Sequence, residues 1–386
     1  MTCRPATRTA ASLSDARWSI STVFLLNGAG IGLWAAHVPV VQARMGIDTA
    51  MLSMVLLTIA AGALLAMPLM GGFTARWGTR RMTIVSGFAF AAMLAVVMGV
   101  GDLRLLFAAA FVFGISNGAL DVAMNANASE VETARGIPTM SSFHGFFSLG
   151  GLLGAGLGGA VIGQGWGQGQ GAFVMAIVTA IALAVASPRL MAFASTHAPG
   201  SHFALPRGAA LSLGLLALLC FAVEGALVDW SALLMQERTG AAPATAALAY
   251  SAFSIAMAAC RFAGDRMILR FGAMRIMVLG GLAMFAGLAT AVLSTHFVLS
   301  ACGFALIGIG AANVVPLLFG AASRIPGMSA GAGVAAVATL GYGGLLLAPP
   351  VLGYIASHAS IMVALGALSL SGIVIALSAG VIKRRA

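Results

Sequence analysis

Arg76-Trp77-Gly78-Thr79-Arg80-Arg81 and Arg270-Phe271-Gly272-Ala273-Met274-Arg275 stand 194 residues apart in one chain, and their first, third and sixth positions are the same residues. Each is a short basic turn between two long apolar runs. Residues 49–70 and 82–100 flank the first, and 244–264 and 273–294 flank the second. About 20 apolar residues span the hydrocarbon of a bilayer, and a helix is the form in which such a run satisfies its own backbone there. Reading outward from the two turns adds runs at 18–41, 105–128, 139–164, 171–187, 208–235, 297–320, 330–356 and 360–381. The chain is therefore expected to be an all-α membrane protein with twelve transmembrane helices.

Composition excludes the main rivals. Of 386 residues, 60% are hydrophobic and 8% charged, with a mean hydropathy of +1.03. A soluble protein carries about 25% charged residues, so this chain cannot cover a water-facing surface. Aromatic and apolar content excludes disorder. The apolar runs are continuous rather than alternating, which excludes an outer-membrane barrel. Fifty glycines suit close helix packing in lipid. The four cysteines form no CxxC pair, so neither a disulfide framework nor a zinc site is expected. There is no GxxxxGK[ST] loop for nucleotide-driven transport, and no GxSxG or HExxH for catalysis; the chain is not expected to be an enzyme.

The net charge of +10 is a topology signal, not a nucleic-acid footprint. With the N-terminus inside, seventeen of the twenty Lys and Arg fall in inner segments; only Arg44, Arg104 and Arg238 fall outside. Lysine and arginine accumulate on the cytoplasmic side, so both termini are expected there. Residues 1–17 read as a cytoplasmic leader without a cleavable signal pattern.

The shift of 194 aligns more than the two turns. Gln42–Gly46 meets Gln236–Gly240, Gly114-Ile115 meets Gly308-Ile309, and Gly150 with Leu152-Leu153 meets Gly344 with Leu346-Leu347. Four matches at one offset, each at an equivalent place, indicate a duplicated six-helix unit. The expected division is 18–187 for the first bundle, 188–207 for a cytoplasmic linker rich in Pro and His, and 208–386 for the second. Parallel repeats of this kind rock about a site between them, which is alternating access.

Twelve spans, a central linker and RxGxxR loops resemble the major facilitator superfamily over the whole chain. That family's loop 2–3 signature appears as Gly71, Arg76, Gly78, Arg80 and Arg81, with Ala75 where it has an aspartate. The stretch Asn117-Gly118-Ala119-Leu120-Asp121-Val122-Ala123-Met124-Asn125 is similar to helix 4 of proton-coupled fucose permeases and their uncharacterised bacterial inner-membrane relatives. The resemblance implies two pseudo-symmetric six-helix bundles and proton-driven movement of a small organic solute. Helix 5 carries Gly150-Gly151-Leu152-Leu153-Gly154-Ala155-Gly156-Leu157-Gly158-Gly159, which resembles the antiporter signature with Ala155 in place of Pro. Import of a sugar-like solute and export of a drug or metabolite both stay open, as does a non-transporting receptor or scaffold.

An ionisable group inside a span costs roughly 2.5–3.5 kcal/mol on insertion scales, so each is a functional candidate. Asn117, Asp121 and Asn125 lie at i, i+4 and i+8 and form one polar stripe. Asp121 is the first candidate for a proton site, with Glu224 as a second and His144 as a relay. Asn27, Trp34, Asn117, Asn125, Asp229, Trp230 and Asn313 are expected to line a solute cavity. Arg261 and Asp265, at i and i+4, are expected to pair at a gate, joined by Arg76, Arg80, Arg81, Arg266, Arg270 and Arg275. No cofactor or metal is expected beyond the proton gradient as energy source. The partners are a small-molecule solute, protons and the lipid bilayer, with no nucleic acid, and the chain is expected to act as a monomer in the inner membrane.

Overall fold

The computed structural model describes residues 10–164, 168–192, 207–246 and 248–383. Every regular element among them is helical. In chain order the long helices are α1 (Ala10–Met45), α2 (Thr49–Trp77), α3 (Thr79–Gly99), α4 (Leu103–Arg135), α5 (Met140–Gly163) and α6 (Gln168–Ala186). They continue with α7 (Ala209–Thr239), α8 (Leu248–Phe271), α9 (Ala273–Leu293), α10 (Phe297–Ala322), α11 (Ala330–His358) and α12 (Ile361–Leu377). Eleven are long and apolar enough to cross a membrane; α8 is the twelfth, its mean hydropathy lowered by Arg261, Asp265, Arg266 and Arg270. Leu152, Ile255, Leu293 and Leu377 lie exposed on helix surfaces, an arrangement that hydrocarbon rewards and water would not.

Helix ends follow side-chain chemistry rather than hydropathy. Asp48 accepts from the amide of Met51, and Asp102 from those of Arg104 and Leu105, starting α2 and α4. Gly136 and Gly240 end α4 and α7 in the left-handed conformation. Three boundaries differ from the sequence reading. Helix α1 begins at Ala10, so the second half of the expected leader is helical, with Ala16 fully buried. Helices α2 and α4 run past 70 and 128 to Trp77 and Arg135, because arginine and glutamate are good helix formers once the apolar run is spent. Of the expected linker, 193–206 lies outside the described residues, while Ser187–Arg189 forms one 3-10 turn. Residues 1–9 also lie outside.

By packing, the chain divides into two compact units. The first holds 1–66, 73–137 and 146–197, the second the remainder, including 67–72 of α2 and 138–145 at the start of α5. The duplication is visible within each. Gly78 has φ 82 and ψ 149, and Gly272 has φ 82 and ψ 147. Their amides donate to Thr74 and Ile268, which are also 194 apart. A Cβ on Gly114 would overlap the carbonyl oxygen of Ile59, and one on Gly308 that of Phe253, again the same offset. Arg44 donates to the carbonyl of Met98 at 2.7 Å, and Arg238 to that of Leu293 at 3.0 Å. The four arginine-and-glycine matches seen in sequence thus mark places where backbone turns or touches backbone.

Helices α1 and α5 approach along glycine. A Cβ at Gly150 would overlap the carbonyl of Leu25, and one at Gly154 that of Ala29. The run that resembles an antiporter signature is used here for close packing of two helices.

Candidate functional site

Each unit buries a polar cluster within its spans. In the first, Asn27 of α1 donates to the side-chain oxygen of Asn117 on α4 at 3.0 Å. One turn along α4, Asp121 is 6% exposed, and Asn125 donates to its backbone oxygen at 2.9 Å and its carboxylate at 3.3 Å. Along the i, i+4, i+8 stripe Asn117 is bonded to Asn27 and Asn125 to Asp121. Asn125 is fully buried, as is the face of α4 around it, including Val122, Ala123 and Met124. Trp34 is also buried, its ring 6.0 Å from that of Phe113.

The second unit's cluster is built on a broken helix. Pro316 has no amide proton, so the carbonyl of Ala312 lacks its ordinary intrahelical partner. The chain leaves regular helix at Ala312-Asn313, between Phe297–Ala311 and Val314–Ala322. Arg261 of α8 supplies the missing donor, its Nε reaching the Ala312 oxygen at 3.3 Å. A guanidinium buried at 7% exposure in a span needs an anion, and Glu224 of α7 provides it, with Nη2 and Oε2 3.7 Å apart. The Cys220 thiol lies 3.7 Å from Glu224 Oε1 and 4.0 Å from the Ala311 oxygen. Asn313, at the break, donates to Cys260 Sγ at 3.5 Å. Three helices thus meet at the break through two thiols, one carboxylate, one guanidinium and one amide.

One turn along α8, Asp265 accepts from the amides of Ser141 at 3.1 Å and Ser142 at 3.2 Å. These belong to the first turn of α5, whose amides have no intrahelical acceptor. Arg261, one turn before Asp265 on α8, meets Glu224, and Asp265 caps the first turn of α5. Gly264 makes room for this, since a Cβ there would meet Asn313 Oδ1 and Ser141. His144, on the same turn of α5, has its ring 6.0 Å from that of Phe319.

The other expected residues fall in different surroundings. Trp230 packs beside Gly353 of α11, and the side chain of Asp229 lies outside the described residues. Arg76 and Arg270 stack over their neighbours Trp77 and Phe271, at 5.8 and 5.4 Å, in a further match at the repeat offset. Arg80 donates to the carbonyl of Ser187 at 3.2 Å, while Arg81, Arg266 and Arg275 are exposed. His37 of α1 is fully buried, with Nδ1 2.9 Å from the Leu33 oxygen.

Sequence reasoning missed one group altogether. Thr79 at the start of α3 donates to Glu130 and accepts from Asn127 at 2.9 Å; Asn127 also donates to the Met191 oxygen at 3.1 Å. Asn127 and Glu130 sit three apart, a spacing legible on α4; Thr79 and Met191 are far away in sequence. Cys220, beside Glu224, and Cys260, beside Asn313, belong to no CxxC pair, a pattern that says nothing about hydrogen bonding. Among the described residues no group of His, Cys, Asp or Glu has metal-holding geometry.

A duplicated twelve-span helical protein with acids and an arginine buried in its spans is a polytopic membrane transporter. Residues 20–349 match the Major Facilitator Superfamily, and the chain belongs to that family of transporters rather than to any class of enzyme. It is 36% identical over 366 residues to an uncharacterised MFS-type transporter of Yersinia pestis, covering 95% of both chains. It is 31% identical over 367 residues to the membrane protein MosC of Rhizobium meliloti, covering 93% of this chain and 88% of that one. In structure it is similar to the transporter FucP in the outward conformation, with a TM-score of 0.80 and 14% identity over 95% of this chain and 98% of that one. The family resemblance read from the loops and from helix 4 is borne out.

Proposed function

We propose that this transporter moves a small organic solute across the bacterial inner membrane by alternating access, with proton movement as the driving force and both termini in the cytoplasm. The observation that carries the reading is Asp121: a carboxylate 6% exposed, within a span, that accepts from the side-chain amide of Asn125. An acid stored in a span takes up or gives off a proton as water reaches it from one side or the other. Glu224 of α7, which meets Arg261, serves as a further proton site, and His144 in the first turns of α5 as a relay. One charge moved across 100 mV supplies about 2.3 kcal/mol, which supports almost fifty-fold accumulation. Gly150 and Gly154 of α5 serve packing with α1, and import and export are both kept in the proposal.

The test is solute-dependent proton flux in liposomes holding the purified protein and a pH-sensitive dye, screened against a metabolite panel. Asp121→Asn is expected to abolish uphill, proton-linked uptake while leaving downhill exchange of labelled solute. Normal pumping by that variant would sink the assignment of the proton site.

A further inference from the structure

We propose that the two basic turns at Gly78 and Gly272 are docking sites for the headgroup of an anionic phospholipid, one in each unit, each built from an exposed aromatic ring and the arginines around it. The inference goes beyond transport itself and uses neither the proton site nor the solute.

The end of α2 presents Phe73 and Trp77, both exposed, with their rings stacked 5.3 Å apart. The end of α8 presents Leu269 and Phe271, again exposed. Apolar side chains left uncovered on a spanning helix belong against hydrocarbon, and a ring at the end of the span sits where hydrocarbon gives way to headgroups. Over each ring lies a guanidinium. Arg76 is 5.8 Å from the centre of the Trp77 ring, and Arg270 is 5.4 Å from that of Phe271. Stacking holds the cation at headgroup depth without cancelling its charge.

Each turn adds further charge. Arg81 and Arg275 are exposed in the first turns of α3 and α9, and Arg266 is exposed one turn before Arg270. Among the described residues none of these five guanidiniums meets a carboxylate. Residues 1–9, 165–167, 193–206, 247 and 384–386 contain no Asp or Glu that could reach them. Arg80 differs, because it is tied to the carbonyl of Ser187. The anion available at the depth of the rings is the phosphodiester of a lipid, which a guanidinium takes through two parallel N–H bonds. Phosphatidylcholine carries its own cation beside that phosphate. Phosphatidylglycerol does not, so it is the lipid that gains from unmatched arginines. What recurs at the offset of 194 is the arrangement: Arg76, a ring at 77 and Arg81 become Arg270, a ring at 271 and Arg275, although the ring itself changes from Trp to Phe.

The experiment titrates the purified protein, in micelles of a neutral detergent, with dioleoylphosphatidylglycerol or dioleoylphosphatidylcholine and counts bound lipids by native mass spectrometry. Phosphatidylglycerol is expected to bind more tightly by about fivefold for each arginine it engages, and the preference shrinks as salt is raised. Arg76→Gln and Arg270→Gln each weaken one of two bound lipids by about fivefold. Arg104→Gln, which removes an exposed arginine outside both turns, leaves binding unchanged. Trp77→Ala keeps the net charge and weakens one lipid by about two- to fivefold, while Trp77→Phe retains it. The inference is overturned if the two lipids bind alike, if Arg104→Gln costs as much as Arg76→Gln, or if Trp77→Ala binds phosphatidylglycerol at wild-type strength. Displacement of the lipid by free glycerol 3-phosphate would assign the turns to a soluble phosphate and overturn it equally.

Discussion

Removing the charge of Glu224 while leaving Arg261 in place gives the sharpest energetic test of the second unit. At 3.7 Å, and with an effective dielectric of about 20, two unit charges attract by about 4.5 kcal/mol. Both side chains are mostly buried, at 16% and 8% exposure, so water screens little of that. Glu224→Gln is therefore expected to destabilise the protein by about 3–5 kcal/mol, the range found when one partner of a buried pair is removed. Arg261→Gln should cost less than this on the charge side but also opens the Ala312 carbonyl, adding about 1–3 kcal/mol. The double variant removes the uncompensated charge, so its cost should fall well below the sum of the singles, with a coupling energy of about 2–4 kcal/mol. The assay is reversible unfolding in mixed micelles by detergent titration, followed by tryptophan fluorescence. Additivity within about 0.5 kcal/mol would show that the two charges do not sense each other and would refute the reasoning.

Other expectations follow from packing and capping. Gly114→Leu and Gly308→Leu should each cost at least about 2–3 kcal/mol, because each overlaps a carbonyl of the neighbouring helix; Gly156→Leu, with open space around it, should be near neutral in the same unfolding assay. Asp265→Ala removes the acceptor for the Ser141 and Ser142 amides and should cost about 1–2 kcal/mol; faster hydrogen exchange confined to the first turn of α5 would identify the cap as the cause. Asn27→Leu should cost only about 0.6 kcal/mol, the average for a hydrogen bond between spanning helices, by a double-mutant cycle with Asn117→Leu.

The number and order of the spans were legible in the sequence because hydrocarbon imposes a length and a polarity that hydropathy measures directly. The duplication was legible for a related reason: Gly78 and Gly272 need a backbone angle that other residues rarely adopt, and Gly114 and Gly308 need contact that other residues prevent. Side-chain partners were not legible. The spacing of Arg261 and Asp265 made them neighbours on one helix, but Glu224 on α7, which Arg261 meets, and the α5 amides, which donate to Asp265, come from distant parts of the chain. The break in α10 was written in Pro316, yet an apolar run with one proline reads as a continuous span. Helix ends in α1, α2 and α4 overshot because hydropathy reports where lipid stops, not where hydrogen bonding does.

The duplicated halves agree at their turns, their touching glycines and several arginines, and differ at three ionisable groups within the spans. Position for position, Asp121 answers to Val315, and Glu224 and Arg261 to Gly30 and Met67. Neither copy carries a spare for the other's chemistry. At these three positions the repeat offset holds no ionisable counterpart, whereas the architecture around them was drafted twice.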